Sequence, residues 1–251
     1  MVEEHALAIV CDGVRLSGGV CVPDDSKGVV ILLHGIPSVA PPEPSDTGYA
    51  GVSRRFAERD WAAAWVDMRA VRASKGFFSI EGWVRDARAV VDGVRSSDGL
   101  QGLPLALIGS SAGGAVACEV VARGAPVDAL AMLAAPAAWH GYATDPRAGV
   151  RRITAETGMA LAEDVETDPT AWMAEFETVT TERSIVRVTV PTLIVHGTND
   201  DVVSVEHARR LAERAPRAEL RIIEGGGHQL RKEESVLELV FDWLDRVLAR
   251  P

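Results

Sequence analysis

Residues 103–121 read Leu103-Pro104-Leu105-Ala106-Leu107-Ile108-Gly109-Ser110-Ser111-Ala112-Gly113-Gly114-Ala115-Val116-Ala117-Cys118-Glu119-Val120-Val121. An apolar run ends in a Gly-x-Ser-x-Gly pentad and continues in small and apolar residues. The stretch predicts strand, sharp turn and helix, with Ser111 at the tip of the turn. Glycines at 109 and 113 suit such a turn because side chains there would meet neighbouring backbone. The pentad alone is a weak signal, and a serine between glycines is usually only a turn. Its setting between a buried strand and a helix gives it weight.

Similar short apolar runs recur along the chain. They fall at Val29-Val30-Ile31-Leu32-Leu33, at 62–67, at 129–133, at 192–195 and at 219–223. The continuous run 29–33 suits a strand buried on both faces, and the other segments are read as further strands. Residues 5–11 and 14–22 read as two strands about Asp12-Gly13, a hairpin turn signal. Helical spacing appears between the runs. Val84, Ala87, Val91 and Val94 mark one face over 80–96. Val205, Ala208, Leu211 and Ala212 mark another, with Ser204 as N-cap. Val236, Val240, Trp243 and Val247 mark a third. Strands alternating with helices predict a largely parallel sheet covered on both faces. One domain over 1–251 is expected, with an inserted cap at 136–190 above the C-terminal edge of the sheet. That insert carries Trp139, Met159, Trp172, Met173 and Phe176, read as the core of the cap rather than the wall of a pocket. Residues 37–50, with Pro37, Pro41, Pro42 and Pro44, form a long loop of the kind that is often functional.

Composition sets outer limits. The 251 residues are 47% hydrophobic and 25% charged, enough for one filled core. The net charge of −10 and the scattering of arginines, with isolated pairs at Arg54-Arg55, Arg151-Arg152 and Arg209-Arg210, argue against a nucleic-acid or anionic-membrane partner. Cys11, Cys21 and Cys118 form no motif, and reduced thiols are expected. No signal peptide is seen at the N-terminus and no apolar stretch approaches about 18 residues, so a cytoplasmic location is expected. No two histidines have metal-ligand spacing, and neither metal nor cofactor is expected.

A serine hydroxyl is a poor nucleophile without a general base, and the base needs an orienting partner. After the run 192–195 comes His196-Gly197-Thr198-Asn199-Asp200-Asp201. After 219–223 comes Glu224-Gly225-Gly226-Gly227-His228. Ser111, Asp200 and His228 thus each follow a strand, at the carboxyl edge where ligands bind in open α/β sheets.

With these residues in that order, the chain resembles an α/β-hydrolase fold serine hydrolase over nearly its whole length, nearest to small-cap esterases, lipases and serine aminopeptidase-like members. The resemblance implies a mostly parallel sheet of about eight strands with helices on both faces and a small helical cap. It implies Ser111 as nucleophile, His228 as general base and acid, and Asp200 as orienting carboxylate. Asp200 matches the His-Gly-x-x-Asp position, and Asp201 comes one residue late. The oxyanion hole is expected from the backbone N–H of Ala112, after the nucleophile, and of Ile36, after His34-Gly35. Pro37 has no N–H and supplies no third donor. His34 is read as shaping that loop and His196 as bonding locally at its strand end. His5, His140 and His207 are read as surface or cap residues, and Gly225-Gly226-Gly227 as loop rather than phosphate cradle.

One stretch departs from the family pattern Asp-x-Arg-Gly-x-Gly-x-Ser. Here it is Asp67-Met68-Arg69-Ala70-Val71-Arg72-Ala73-Ser74. Alanine and arginine replace two glycines, so a loop needing φ > 0 there would have to take another path. That opens the question of Arg72, Phe77 and Phe78 in the pocket wall. The function implied is hydrolysis of a small or medium-sized carboxylic ester. A serine aminopeptidase or amidase is the first alternative, with Glu156, Glu163, Asp164, Glu166, Glu175 and Glu177 as candidate anchors for a free amine. A ligand receptor without turnover is the second.

Overall fold

The computed structural model describes residues 2–41, 43–139 and 146–248. Among them nine strands form one sheet. They are β1 (Val2–Ala6), β2 (Ile9–Cys11), β3 (Val14–Pro23), β4 (Gly28–Leu33), β5 (Trp61–Asp67), β6 (Leu105–Ser110), β7 (Ala129–Leu133), β8 (Thr192–Gly197) and β9 (Ala218–Ile223). The order is β1-β3-β5-β4-β6-β7-β8-β9, with β2 also paired to β3. From β5 to β9 all neighbours are parallel, while β3 is antiparallel to β1, β2 and β5.

The sheet has one strand more than expected because the run 5–11 divides. β1 and β2 keep a single register on β3, with Ala6 opposite Gly19 and Ile9 opposite Leu16. The break lies beside Gly18, where β3 presses so closely on β5 that a Cβ would stand 2.3 Å from Trp65 O. Asp12 and Gly13 both have positive φ (51° and 76°), as the hairpin turn requires. Cys11 lies opposite Val14, whereas Cys21 lies opposite Glu4 on β1, so the two thiols do not face each other; all three cysteines are free and buried.

Every residue of β4 is buried, and its side chains alternate between two cores. Val29, Ile31 and Leu33 pack under α2 (Ile80–Arg95), α3 (Ala112–Ala122) and α8 (Glu206–Arg214). Val30 and Leu32 pack under α1 (Gly48–Ala57) and α9 (Glu234–Val247). Ser79 caps α2 by accepting the Gly82 N–H at 2.9 Å. The start of α8 differs from expectation: Val205 holds the cap position, and Ser204 Oγ reaches only the Glu206 N–H at 3.4 Å. Between β7 and β8 run α4 (Pro146–Thr157), α5 (Glu163–Thr167), α6 (Thr170–Thr178), α7 (Thr181–Ser184) and a 3-10 turn over Ile185–Arg187. No helix among the described residues is long and apolar enough to cross a membrane.

After β4 the chain moves to one side to form β5, then crosses back over β4 to form β6. The loops after β4 and β6 therefore diverge at a switch in strand order, and Leu33 and Gly109 lie level in adjacent strands. A crevice at such a switch is where open α/β sheets bind ligands.

Candidate active site

Ser111 sits between β6 and α3 with φ 52° and ψ −124°. That conformation is unfavourable for a residue with a Cβ and persists only where the surroundings enforce it. Three glycines allow the enforcement. A Cβ on Gly109 would lie 2.2 Å from Gly113 O, one on Gly113 would lie 2.4 Å from Leu33 O, and one on Gly114 would lie 2.7 Å from the Ala135 methyl. The Ser111 N–H is held by Leu133 O at 2.8 Å. Among the described residues Ser111 Oγ makes no hydrogen bond, to His228 or to any other group.

The loop after β4 lies against this serine. A Cβ on Gly35 would stand 2.9 Å from Ser111 Cβ and 3.4 Å from its Oγ. Buried His34 fixes the loop. Its Nε2 accepts the Met68 N–H at 2.9 Å, so the hydrogen is on Nδ1, which donates to Gly35 O at 2.7 Å. Burial pushes the His34 pKa down to about 4, so the ring is neutral at pH 7. Both ring nitrogens are occupied, which excludes His34 as a base. Pinning Gly35 O also fixes the opposite direction of the Ile36 N–H across the planar trans peptide. Neither Ile36 N nor Ala112 N donates a hydrogen bond among the described residues. Ala112 opens α3, where first-turn N–H groups have no partner within the helix.

Asp200 and His228, on the loops after β8 and β9, are joined by a 2.8 Å contact between Oδ2 and Nδ1. The Asp200 carboxylate is wholly shielded, and Oδ1 accepts the N–H groups of Val202 (2.9 Å) and Val203 (2.8 Å). Burial alone would raise its pKa. Hydrogen bonds from His196 and His228 and from the Val203 N–H outweigh that and hold the carboxyl well below the usual range. Asp201 is exposed. The glycine loop lets β9 turn in closely: a Cβ on Gly197 would stand 2.0 Å from Gly226 O.

The loop after β5 takes positive φ at the two positions where the family pattern has glycine. Ala70 (φ 64°) and Arg72 (φ 46°) both adopt positive φ without being glycine. Local strain of about 1–2 kcal/mol per residue is offset by a dense set of bonds. Ala70 N donates to Lys75 O, Trp83 Nε1 to Arg69 O, and Arg69 N to Asp86 Oδ2. The Arg69 guanidinium is buried against Asp86 (2.7 Å) and Asp12 (2.9 Å). Arg72 is 59% exposed and binds Asp67 at 2.6 Å. Phe78 is buried in an aromatic stack with Trp83, Trp172 and Phe176, whereas Phe77 is 56% exposed.

Trp139, Met159, Trp172, Met173 and Phe176 are all buried, in the same core cluster as β4, α2 and α3. Glu175 accepts from Ser79 Oγ (2.6 Å) and Glu81 N (3.2 Å), and Glu156 binds Arg152 (3.0 Å). His5 is exposed, His207 Nδ1 accepts the Ala137 N–H at 2.9 Å, and His140 lies outside the described residues. A further cluster has no signal in the sequence. Arg231, three residues after His228, makes two bonds to Asp46 (2.6 and 2.8 Å) and lies over the Tyr49 ring at 5.0 Å. Tyr49 in turn lines a small cavity with Ser110, the residue before Ser111. No group of three or more His, Cys, Asp or Glu side chains among the described residues is arranged to hold a metal ion.

Residues 81–250, more than half of the chain and the whole run from α2 through Ser111 to His228, match the prolyl oligopeptidase family. The chain belongs to the prolyl oligopeptidase family. Its fold is that of α/β-hydrolases. An esterase from Pyrococcus furiosus superposes with a TM-score of 0.72 at 20% identity, over 99% of this chain and 92% of that one. Est1E from Butyrivibrio proteoclasticus gives 0.70 at 20% identity, over 98% and 99%. The 2-hydroxy-6-oxo-6-phenylhexa-2,4-dienoate hydrolase of Rhodococcus sp. strain RHA1 gives 0.70 at 17% over both whole chains. In sequence, the alpha/beta hydrolase domain-containing protein 17C of Xenopus tropicalis is 41% identical over 64 residues, 25% of this chain. The match spans only 19% of that relative's length.

Proposed function

We propose that the protein is a serine hydrolase that cleaves a carboxylic ester of a small or medium-sized substrate through an acyl-enzyme on Ser111. The observation that carries this reading is the strained Ser111 backbone, in a turn that Gly109, Gly113 and Gly114 let pack closely at the switch in strand order, with the Asp200–His228 pair on the same sheet edge. His228 Nδ1–H is engaged by Asp200, which leaves Nε2 for the serine proton. Ser111 Oγ attacks the ester carbonyl as its proton passes to His228. The resulting oxyanion is met by the Ile36 and Ala112 N–H groups, which donate to no other group among the described residues. The alcohol departs with the proton from His228. Water then attacks the acyl-enzyme, giving its proton to His228, which returns it to Ser111. Asp200 fixes the imidazole tautomer and stabilises its cation. The insert between β7 and β8 is the cap that shapes the acyl pocket.

Family membership favours one alternative, cleavage of a peptide or aminoacyl amide by the same residues. The acidic side chains that would anchor a free amine support it less. Glu175 is used on the first turn of α2, Glu156 pairs with Arg152, and Glu163, Asp164 and Glu166 belong to α5, a short helix with no buried residue.

The test is steady-state hydrolysis of p-nitrophenyl esters from acetate to laurate, beside aminoacyl p-nitroanilides, by wild type and Ser111→Ala. Ester turnover lost by at least about 1,000-fold in the variant is the expected result. Turnover confined to the anilides would replace the ester reading by the peptidase one. A folded wild type with a single burst of product would leave a receptor.

A further inference from the structure

Beside the Asp200–His228 pair lies a second imidazole that the proposed mechanism does not use. His196, near the end of β8, is completely buried. Its Nε2 is 2.8 Å from Val203 O and 3.2 Å from Asp200 Oδ2. A carbonyl oxygen only accepts, so the nitrogen facing it carries the hydrogen, and His196 is the Nε2–H tautomer. Its Nδ1 is then an acceptor, and it is buried without a partner among the described residues. An apolar side chain would fill this space without leaving a lone pair unsatisfied, so an imidazole here needs a reason on its other edge.

That edge closes a ring. The Val203 N–H donates to Asp200 Oδ1 at 2.8 Å, while Val203 O accepts from His196. Asp200 Oδ2 receives the His228 Nδ1–H at 2.8 Å and has the His196 N–H edge at 3.2 Å. The carboxylate bonded to His228 is thus also held by His196, at the same oxygen directly and at the other through Val203.

We infer that His196 is a positioning residue for the Asp200–His228 pair: it locks the Asp200 turn and draws charge from the oxygen that faces His228. This rests on the triad reading of the proposed function. The N–H edge beside Oδ2 draws on the carboxylate charge, so less of it acts on the His228 ring. Other ionisable groups of the surrounding elements are engaged elsewhere or exposed. Glu224 accepts from Thr198 Oγ1, Glu206 pairs with Arg209, His207 accepts from Ala137 N, Arg231 holds Asp46, and Asp201 is exposed.

The test uses the full chain with His196→Leu and His196→Gln, read as kcat/KM against pH on the ester that wild type turns over best. His196→Leu loses the donor. It is expected to lower kcat about 10-fold or more and to move the acid limb of the profile upward by about half a pH unit or more. His196→Gln extends an amide N–H to the same place and is expected to stay within about threefold of wild type with an unmoved profile. An acid limb unmoved in His196→Leu, whatever its kcat, or a glutamine variant that behaves as the leucine one, would reduce His196 to a core residue and overturn the inference. Should His196→Leu fail to fold, 15N–1H NMR of the wild-type imidazoles decides. An Nε2–H tautomer with a slowly exchanging proton is expected, and an Nδ1–H tautomer or a rapidly exchanging proton overturns the assignment. That readout needs no turnover, so it stands apart from the ester assay: a wild type inert to esters and anilides would sink the triad reading and leave the His196 geometry to be judged on its own.

Discussion

Gly35 and Ser111 are packed so closely that a methyl group on the glycine would sit 2.9 Å from the serine Cβ. The loop that follows β4 is thereby held flush with Ser111. Gly35→Ala forces the two loops apart. Turnover should fall by about 100-fold or more for a destabilisation of about 1–3 kcal/mol. Steady-state kinetics with a denaturation curve checks this; an alanine variant that keeps wild-type kcat would show that the close approach has no catalytic use.

Ser111 carries its own strain. At φ 52° and ψ −124° a residue without a Cβ is more comfortable, so Ser111→Gly should abolish turnover and still raise stability, by about 1 kcal/mol. Urea unfolding of the two proteins measures the difference. A glycine variant less stable than wild type would mean that the surrounding contacts, and not the backbone, set the energy of this turn.

His34 ties stability to pH. Its folded value of about 4 lies below the usual 6.5 because burial disfavours the cation. Between those values the unfolded chain binds the extra proton. The contribution of neutral His34 is therefore complete above about pH 7 and declines as the pH falls from 6.5 towards 4, by on the order of 3 kcal/mol in all. His34→Phe keeps the ring beside Trp83, whose centroid is 5.1 Å away, and does not titrate. Its stability should fall much less than that of wild type between pH 7 and pH 4.5, as read by chemical denaturation at both values. Parallel slopes in the two proteins would contradict the assignment.

Asp46 and Arg231 join the proline-rich loop to the segment that carries His228. The pair is largely shielded and made by two bonds, and the Arg231 guanidinium beside Asp46 holds that carboxyl well below its usual range. A carboxyl lowered in this way contributes fully above about pH 4 and loses its contribution as the pH falls further. A double-mutant cycle with Asp46→Asn and Arg231→Met at pH 7 should give a coupling of about 1–3 kcal/mol. It should shrink at pH 3 if the fold survives. Additive single effects at pH 7 would show the contact to be without energetic consequence.

Two aromatic residues of neighbouring segments should behave in opposite ways. Trp172 is buried, stacks edge-on against Phe78 and Phe176, and donates Nε1–H to Phe78 O at 3.2 Å. Trp172→Ala should cost about 3–5 kcal/mol. Phe77 is mostly exposed, and Phe77→Ala should change stability by no more than about 0.5 kcal/mol. Thermal unfolding distinguishes them, and equal losses would place Phe77 in the core as well.

The sequence by itself determined the parallel sheet, the strand–turn–helix around Ser111, and the order Ser111, Asp200, His228 at strand ends. These are legible because they rest on local physics: burial of continuous apolar runs, helical spacing, and the room that a turn needs at Gly109 and Gly113. The division of the run 5–11 into β1 and β2 was not legible, because both pieces keep one register on β3, with Leu7 N still bonded to Gly18 O between them, so no change of pattern marks the break. Nor could the two missing glycines reveal that Ala70 and Arg72 would still adopt positive φ. The bonds that hold that loop come from α2 and the first hairpin. The tautomer of His34, the second imidazole on Asp200 and the Asp46–Arg231 pair across 185 positions belong to the tertiary structure alone. A proton's place on a ring, or a carboxylate's choice of partner, is set by distances of about 3 Å, and spacing along a chain carries no such distances until the sheet order has brought the loops together.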